Sequence, residues 1–299
     1  MKKMCGQYDI QGSAITVGVF DSVHLGHQRI LKRLVEEANR RGLKSLVITF
    51  HPHPREVLNP EIKIPFITSL EHRLRLIRSY GVDDVAVIKF TRTFSKISPD
   101  DFIKNTLIKK FNAKVFIAGE NFLFGRNKSG RMSFLKRANR FSEIEFVAIK
   151  PAWFKKDIIS STRIRRAIEK GRLAEASSML GRPVSILGTV VKGRRIGRDI
   201  GFPTANINPH HEAIPPSGVY IVNAKINGKL YKGLLNIGRR PTFGKGLELA
   251  IELHILNFKK DIYGKDVEII FKRKLREEKK FPSIEALQKQ IQKDIQKVK

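Results

Sequence analysis

His24 and His27 lie three residues apart in GVFDSVHLGHQ (18–28), where an apolar run ends and a helical period begins. On a helix, side chains at i and i+3 share a face, so both imidazoles project to one side. A helix start also offers unpaired N–H groups and the positive end of the dipole, which together attract phosphate. Gly26 lets a nucleotide approach the backbone closely. The plainer account is two surface histidines. A third reading adds His51 and His53 from TFHPHPRE (49–56) and makes four zinc ligands. The spacing disfavours zinc, since HxxH is one residue short of HExxH and no glutamate base or cysteine accompanies it.

A second cluster, ISSTRIR (159–165), brings Ser160, Ser161 and Thr162 before Arg163 and Arg165. Hydroxyls and free N–H groups at a helix start can hold phosphate, and an arginine can neutralise charge developing on a leaving pyrophosphate. A simple N-cap with exposed arginines is the alternative. Between the two clusters lies GENFLFGRNKSG (119–130), whose glycines and Asn121 suit a ligand loop. Phe122 and Phe124 are candidates to stack on a flat ring, although burial in the core is the commoner fate. Neither GxxxxGK[ST] nor GxGxxG occurs, which disfavours a P-loop enzyme and a dinucleotide oxidoreductase.

These residues need a frame, and the first half supplies one. AITVGVF (14–20), SLVITF (45–50), VDDVAVIKF (82–90), AKVFIAG (113–119) and IEFVAI (144–149) read as buried strands. Helical stretches separate them. Leu31, Leu34, Val35 and Ala38 repeat at helical spacing until Gly42, Thr68 and Glu71 suggest a capping box, and Ser98, Pro99 and Asp101 open another helix. Short alternating connections imply a mostly parallel, right-handed sheet with helices on both faces, and ligands at the strand carboxyl ends.

After about residue 182 the texture changes to β-branched runs with frequent Gly and Pro, which reads as an antiparallel barrel or sandwich. VYIVNAKI and KLYKGLLNI flank Asn227-Gly228, a dipeptide suited to a type I′ hairpin. ELAIELHIL and DVEIIFKRKL add strands, and Ser283 caps a last helix with Ile284, Leu287, Ile291 and Ile295 on one face. Thr204 and Asn206 are neutral oxygen donors of the kind Mg²⁺ prefers, following a phosphate-attracting run of arginines. Glu252 on a strand can orient or deprotonate an attacking hydroxyl, or simply be an exposed strand residue.

The chain of 299 residues carries 58 Lys and Arg against 28 Asp and Glu, a net charge of +30, yet 41 % of it is hydrophobic. It can bury a core, which excludes a disordered polycation. The charge fits nucleic acid, anionic lipid, phosphorylated small molecules or merely a solvated lysine-rich surface. A basic nucleic-acid-binding protein is therefore the different-class alternative, although no RNA- or DNA-binding motif is present. No apolar run approaches the roughly 18 to 20 residues a membrane span needs, and the start lacks a secretory apolar segment. With the single Cys5 unable to form an internal disulfide, a cytoplasmic protein is expected.

HxGH followed by ISSTxxR resembles the nucleotidylyltransferase superfamily, which binds ATP on an α/β domain and transfers AMP. The second half narrows the resemblance. GTVVKGRRIGRDIGFPTANI (188–207), GVY (218–220), NIGRRPTF (236–243), ELHIL with DIYG, and LREEKKF (275–281) are similar to riboflavin kinase. The whole chain thus resembles the bacterial bifunctional riboflavin kinase and FAD synthetase family.

That resemblance implies an α/β fold: a Rossmann-like FMN adenylyltransferase domain over 1–182 with a parallel sheet, and an antiparallel β-barrel kinase domain over 183–299 ending in a helix. It implies catalytic roles for Glu252, His24, His27 and Arg165. It implies ATP contacts at Gly18, Phe20, Asp21, Gly26, Ser161, Thr162, Gly193, Thr204 and Asn206, with Mg²⁺ at Thr204 and Asn206. Flavin contacts fall on His53, Asn121, Phe124, Arg276 and Phe281. Riboflavin, FMN and ATP are the implied partners, with no nucleic acid or membrane and the oligomeric state open. Ser22 stands where many members have Gly, and Leu58 where some have an aromatic residue. A chain in which only the kinase works is the alternative within the class.

Overall fold

The strands expected from continuous apolar runs pair side by side in the structure, a computed structural model that describes residues 12–61, 64–132, 135, 141–193, 200–210, 212–242 and 246–298, excepting the side chains of 240–242 and 246–247. Cys5 and the arginines within 194–198 lie outside the described residues. By compactness the chain forms two units: one holds the chain up to Ile64 with Leu70–Ser161, the other Pro65–Ser69 with the chain from Thr162 onward.

In the first unit the order is β1 (Ser13–Val17), α1 (Leu25–Arg41), β2 (Lys44–His51), α2 (Pro54–Leu58), α3 (Leu70–Arg78) and β3 (Asp84–Lys89). Then follow α4 (Pro99–Asp101, continuing π-wound through Phe102–Lys110), β4 (Ala113–Gly119), β5 (Leu123–Phe124), β6 (Gly130–Arg131), β7 (Glu145–Ile149), β8 (Trp153–Phe154) and β9 (Asp157–Ile158). The five long strands form one parallel sheet in the order β3-β2-β1-β4-β7. Both faces are buried, which explains why the strands read as unbroken apolar runs. Ile15, Leu46, Ile48 and Phe116 face Phe102, Ile103 and Leu107, while Ala14, Val47, Val115 and Ile117 face Leu31, Leu34 and Ala38 of α1.

The local signals act largely as read. Gly42 takes φ 63° and ends α1, and Ser98 Oγ accepts from the Asp101 N–H to open α4. Glu71 also braces the first turns of α3. Its carboxylate accepts from Arg75 Nε one turn on, at 3.0 Å.

The second unit contains α5 (Ser161–Glu169, entered from Thr162), α6 (Leu173–Leu180) and a closed barrel in the order β10-β11-β14-β13-β12-β15. Its strands are β10 (Ser185–Val191), β11 (Ala205–Asn208), β12 (Gly218–Ile226), β13 (Lys229–Thr242), β14 (Gly246–Ile255) and β15 (Asp266–Arg276), followed by α7 (Ile284–Gln296). All pairs are antiparallel. The β12–β13 hairpin turns at Asn227 and Gly228 with φ of 48° and 81°, the two positive values a type I′ turn demands. The buried Glu212 carboxylate accepts the Ser69 N–H at 2.8 Å and the Leu187 N–H at 2.9 Å, tying Pro65–Ser69 to the barrel. Ser283 caps α7 through the Ala286 N–H. The apolar stripe of α7 is divided: Leu287 and Ile291 face a barrel pocket, whereas Ile284 is 58 % exposed.

Candidate active sites

Strand order reverses between β1 and β4, each running to one side of the sheet, and ligands of such sheets bind at the carboxyl ends of the strands there. A cleft of about 310 Å³ lies at that point. It is lined by Gly18, His24, Gly26 and His27 after β1, Asn121 and Phe122 after β4, and Pro151 and Ala152 after β7.

The β1–α1 loop reaches the cleft by a strained path. Phe20, Ser22 and Val23 have φ of 54°, 80° and 43°. Left-handed backbone costs a residue with a side chain on the order of 1–3 kcal/mol, so surrounding contacts must impose it. They come from three directions. Val19 O accepts from Thr49 Oγ1 at 3.0 Å and Arg73 Nη1 at 2.6 Å, Val23 O accepts from Gln28 Nε2 at 2.9 Å, and Asp21 O accepts from Ser161 Oγ at 2.9 Å.

His24 is the N-cap of α1, its Nδ1 accepting from the Gly26 and His27 N–H groups at 3.1 and 3.3 Å. An Nδ1 that accepts carries no proton, so a neutral His24 ring holds its proton on Nε2. Gly26 leaves room for that ring. A Cβ there would lie 3.0 Å from the His24 ring. The two imidazoles stack with centroids 3.7 Å apart, and Phe20 tilts against His27 at 5.1 Å. Burial first, then the charges of His24 and Arg73, hold the His27 imidazole well below its ordinary value of 6.5. Its Nδ1 is enclosed without a partner among the described residues, which favours a neutral ring with its proton on Nε2.

Other sequence candidates are distributed differently from expectation. Ser161 spends its O–H on the Asp21 carbonyl and so fastens the loop. Thr162 is exposed at the start of α5, and Arg165 Nε donates to Pro65 O at 2.6 Å; both belong to the second unit. His53 is the N-cap of α2, its Nδ1 accepting from the Arg55 N–H. Asn121 is exposed and lines the cleft. Phe124 does not present a ring for stacking: it is 7 % exposed inside the aromatic core, and Phe122, stacked on it at 5.7 Å, faces the cleft instead. For the zinc reading, no group of three or more His, Cys, Asp or Glu among the described residues is placed to hold a metal.

The barrel bears two pockets that share Thr204. One, about 500 Å³, is lined by Val190, Thr204, Phe258, Lys259, Lys260 and Tyr263. The other, about 320 Å³, is lined by Thr204, Asn236, Glu252, Arg276, Phe281 and Asp294 among others. Register assembles the polar centre: Glu252 on β14 stands directly opposite Asn206 of β11 on one side and Asn236 of β13 on the other. Directly opposed residues have Cβ atoms roughly 5 Å apart. Gly193 lies against Asn206, whose amide occupies the space a Cβ would fill. Arg276 is brought over Phe281, with its guanidinium carbon 5.8 Å from the ring centre, and is anchored by Nε to the buried Asp294 carboxylate at 2.9 Å.

Four contributors escaped the sequence reading: Arg73, Asn236, His254 and Asp294. His254 Nδ1 lies 2.8 Å from Pro203 O and its ring meets Phe202 edge-on, which orders the approach to Thr204. Asn236 lay within NIGRRPTF, and its pairing with Glu252 is the signal that register alone reveals. Arg73 and Asp294 sit in helices whose pattern marks them only as surface charges.

Comparison with known proteins agrees with this division. A family model described as FAD synthetase matches residues 7–163, and one described as riboflavin kinase matches 180–299. The chain is 38 % identical over 293 residues to a bifunctional riboflavin kinase/FMN adenylyltransferase of Haemophilus influenzae, covering 97 % of this chain and 94 % of that one. It is 40 % identical over 285 residues to the protein of the same description from Listeria monocytogenes, covering 94 % and 90 %. A solved structure from Streptococcus pneumoniae, described as a macrolide-efflux protein, superposes with a TM-score of 0.84 at 33 % identity over 98 % of this chain and 96 % of its own. Among the described residues, no helix of the present chain is long and apolar enough to cross a membrane.

Proposed function

This chain belongs to the bifunctional riboflavin kinase/FMN adenylyltransferase family, and on that premise we propose that the cleft of the parallel sheet adenylylates FMN while the paired barrel pockets phosphorylate riboflavin. The corresponding functional division is 1–182 and 183–299. The observation that carries the reading is that each half has its own cleft with phosphate-binding side chains in its lining, one at the strand-order reversal behind His24 and His27, the other lined by Thr204 and Glu252.

In the first cleft an oxygen of the FMN phosphate attacks the α-phosphorus of ATP, the bond to the β-phosphate breaks and pyrophosphate leaves. No protein nucleophile is required. The chain's work is positioning and charge stabilisation. Nε2–H groups of His24 and His27 donate to phosphate oxygens, with the start of α1 beside them and Gly18 and Gly26 keeping the floor open. Phe20 and Asp21 shape the loop. Asn121 and Phe122 receive the flavin, with Phe124 backing the Phe122 ring and His53 at the β2 end.

In the barrel the larger pocket, with Lys259 and Lys260, suits ATP and the smaller one, with Phe281 and Arg276, suits the flat riboflavin ring. Glu252 orients and deprotonates the ribityl hydroxyl that attacks the γ-phosphorus. Hard neutral oxygens on Thr204 and Asn206, facing a carboxylate, fit Mg²⁺, which binds through few protein ligands and completes its shell with phosphates and water. When bound there it would neutralise charge on the transferring phosphoryl group. Riboflavin, FMN and ATP are the partners, and the cytoplasm is the proposed location.

Incubation with riboflavin, ATP and Mg²⁺, followed by chromatography, tests the reading. Transient FMN followed by FAD is expected; FMN that accumulates without FAD, with ATP still present, overturns the assignment of the first cleft.

A further inference from the structure

Arg73 lies outside the cleft, and its side chain is unusual for an arginine. It is 2 % exposed on α3. Nη1 donates to Val19 O at 2.6 Å and Nη2 to Phe50 O at 3.4 Å, so one planar group spans the carboxyl ends of β1 and β2. Its Nε is buried without a partner among the described residues. A buried guanidinium that leaves a donor unused is expensive, and a purely structural tie between two carbonyls needs no full charge. Replacing it with a neutral donor would be the less costly solution for stability alone.

What the charge faces explains its retention. Asp21 and His27 lie within its electrostatic reach: burial lowers the arginine's affinity for its proton and Asp21 opposes that, while the arginine's charge adds to burial in keeping His27 from gaining a proton. The Val19 carbonyl begins the strained path through Phe20, Ser22 and Val23 to His24. We propose that Arg73 is a positioning residue for adenylyl transfer, its guanidinium fixing the β1–α1 loop so that the His24 and His27 rings are held at the cleft. The inference rests on the cleft being the adenylylation site.

Two effects follow, and they are separable. The fork holds the loop geometry, which lysine cannot reproduce because it lacks the planar pair of donors. The charge disfavours protonation of His27, and lysine retains it. Thr49 offers a control, since its hydroxyl donates to the same Val19 carbonyl but is neutral.

The test uses the full chain, with FMN and ATP supplied for adenylylation and riboflavin kinase activity as the internal measure of folding. Arg73→Met is expected to lower kcat for FAD formation about 100-fold, the scale of a misplacement of roughly 1 Å. Kinase activity should stay unchanged and the acid limb of the pH profile should move to higher pH. Arg73→Lys should lose part of kcat but keep the acid limb in place, and Thr49→Val should lower kcat modestly with no movement of the limb. An unmoved acid limb in Arg73→Met, or an equal shift in all three variants, overturns the proposal. So does a loss of FAD synthesis that is restored by lowering the temperature below the variant's unfolding transition. His27→Ala separates the two levels: if it retains FAD formation the reading of the cleft fails, whereas if it loses activity and Arg73→Met does not, only the role of Arg73 fails.

Discussion

The cleft of the parallel sheet and the pockets of the barrel, the two proposed sites, are made of different material. In the first unit the polar groups are neighbours in sequence, His24 and His27 on one helix start, and their placement depends on a loop held in left-handed backbone by Thr49, Arg73, Gln28 and Ser161. In the barrel they are far apart in sequence and become neighbours through register, Asn206 and Asn236 flanking Glu252 across three strands. The difference teaches where each site is vulnerable. The first is disturbed through its supports, at residues that touch no ligand. The second is disturbed mainly at the residues themselves, because a barrel fixes its register with many ladder bonds at once.

The largest effect should come from Glu252→Gln, which removes a carboxylate while keeping its shape. FMN formation is expected to fall by about a thousandfold, within the range for a lost general base, while FAD formation from supplied FMN is untouched. Loss of both activities in a folded variant would break the comparison. His27→Ala is the mirror case, lowering FAD formation by about 100-fold and sparing the kinase, as expected for one lost phosphate donor. Next in size, Asp294→Asn weakens the charge-assisted bond that aims Arg276 at the smaller barrel pocket. We expect the KM for riboflavin to rise roughly 10-fold with a smaller change in kcat, equivalent to about 1.4 kcal/mol of binding.

Ser22→Gly sharpens the contrast from the side of stability. Ser22 has φ 80°, so glycine should stabilise the first unit by about 1 kcal/mol in denaturant unfolding and leave the melting of the barrel unchanged. The smallest effect is on pH. His27 is held below 6.5 in the folded chain, so the unfolded chain binds more protons in the window below 6.5. Stability of the first unit should therefore fall as pH drops from 6.5 toward the lowered value, by no more than about 1.4 kcal/mol per pH unit, and His27→Ala should flatten that slope. An unchanged slope in the variant would remove burial of His27 as its source.

Much of the frame was legible because its signals are local. Continuous apolar runs announced strands buried on both faces, Gly42 and Ser98 marked helix ends, and Asn227-Gly228 fixed a hairpin. The site was legible only in part. His24 and His27 were visible as a pair, yet Phe124 was indistinguishable from Phe122 until packing put one in the core and the other at the cleft. Ser161 looked like a phosphate ligand because a helix-start hydroxyl is one in isolation; the loop beside it claims its proton.

What the sequence alone determined is the alternation of elements, the two textures on either side of residue 182, and the motifs that mark the family, since these follow from periodicity and from residue types at short spacing. Only the tertiary structure decided that Glu212 receives two backbone N–H groups from distant segments, that Asp294 aims Arg276, and that a buried Arg73 stands under the histidine loop. A charged residue on a helix carries no mark of being inside. Burial is a property of what packs against it, and that is settled when chain segments remote in sequence meet.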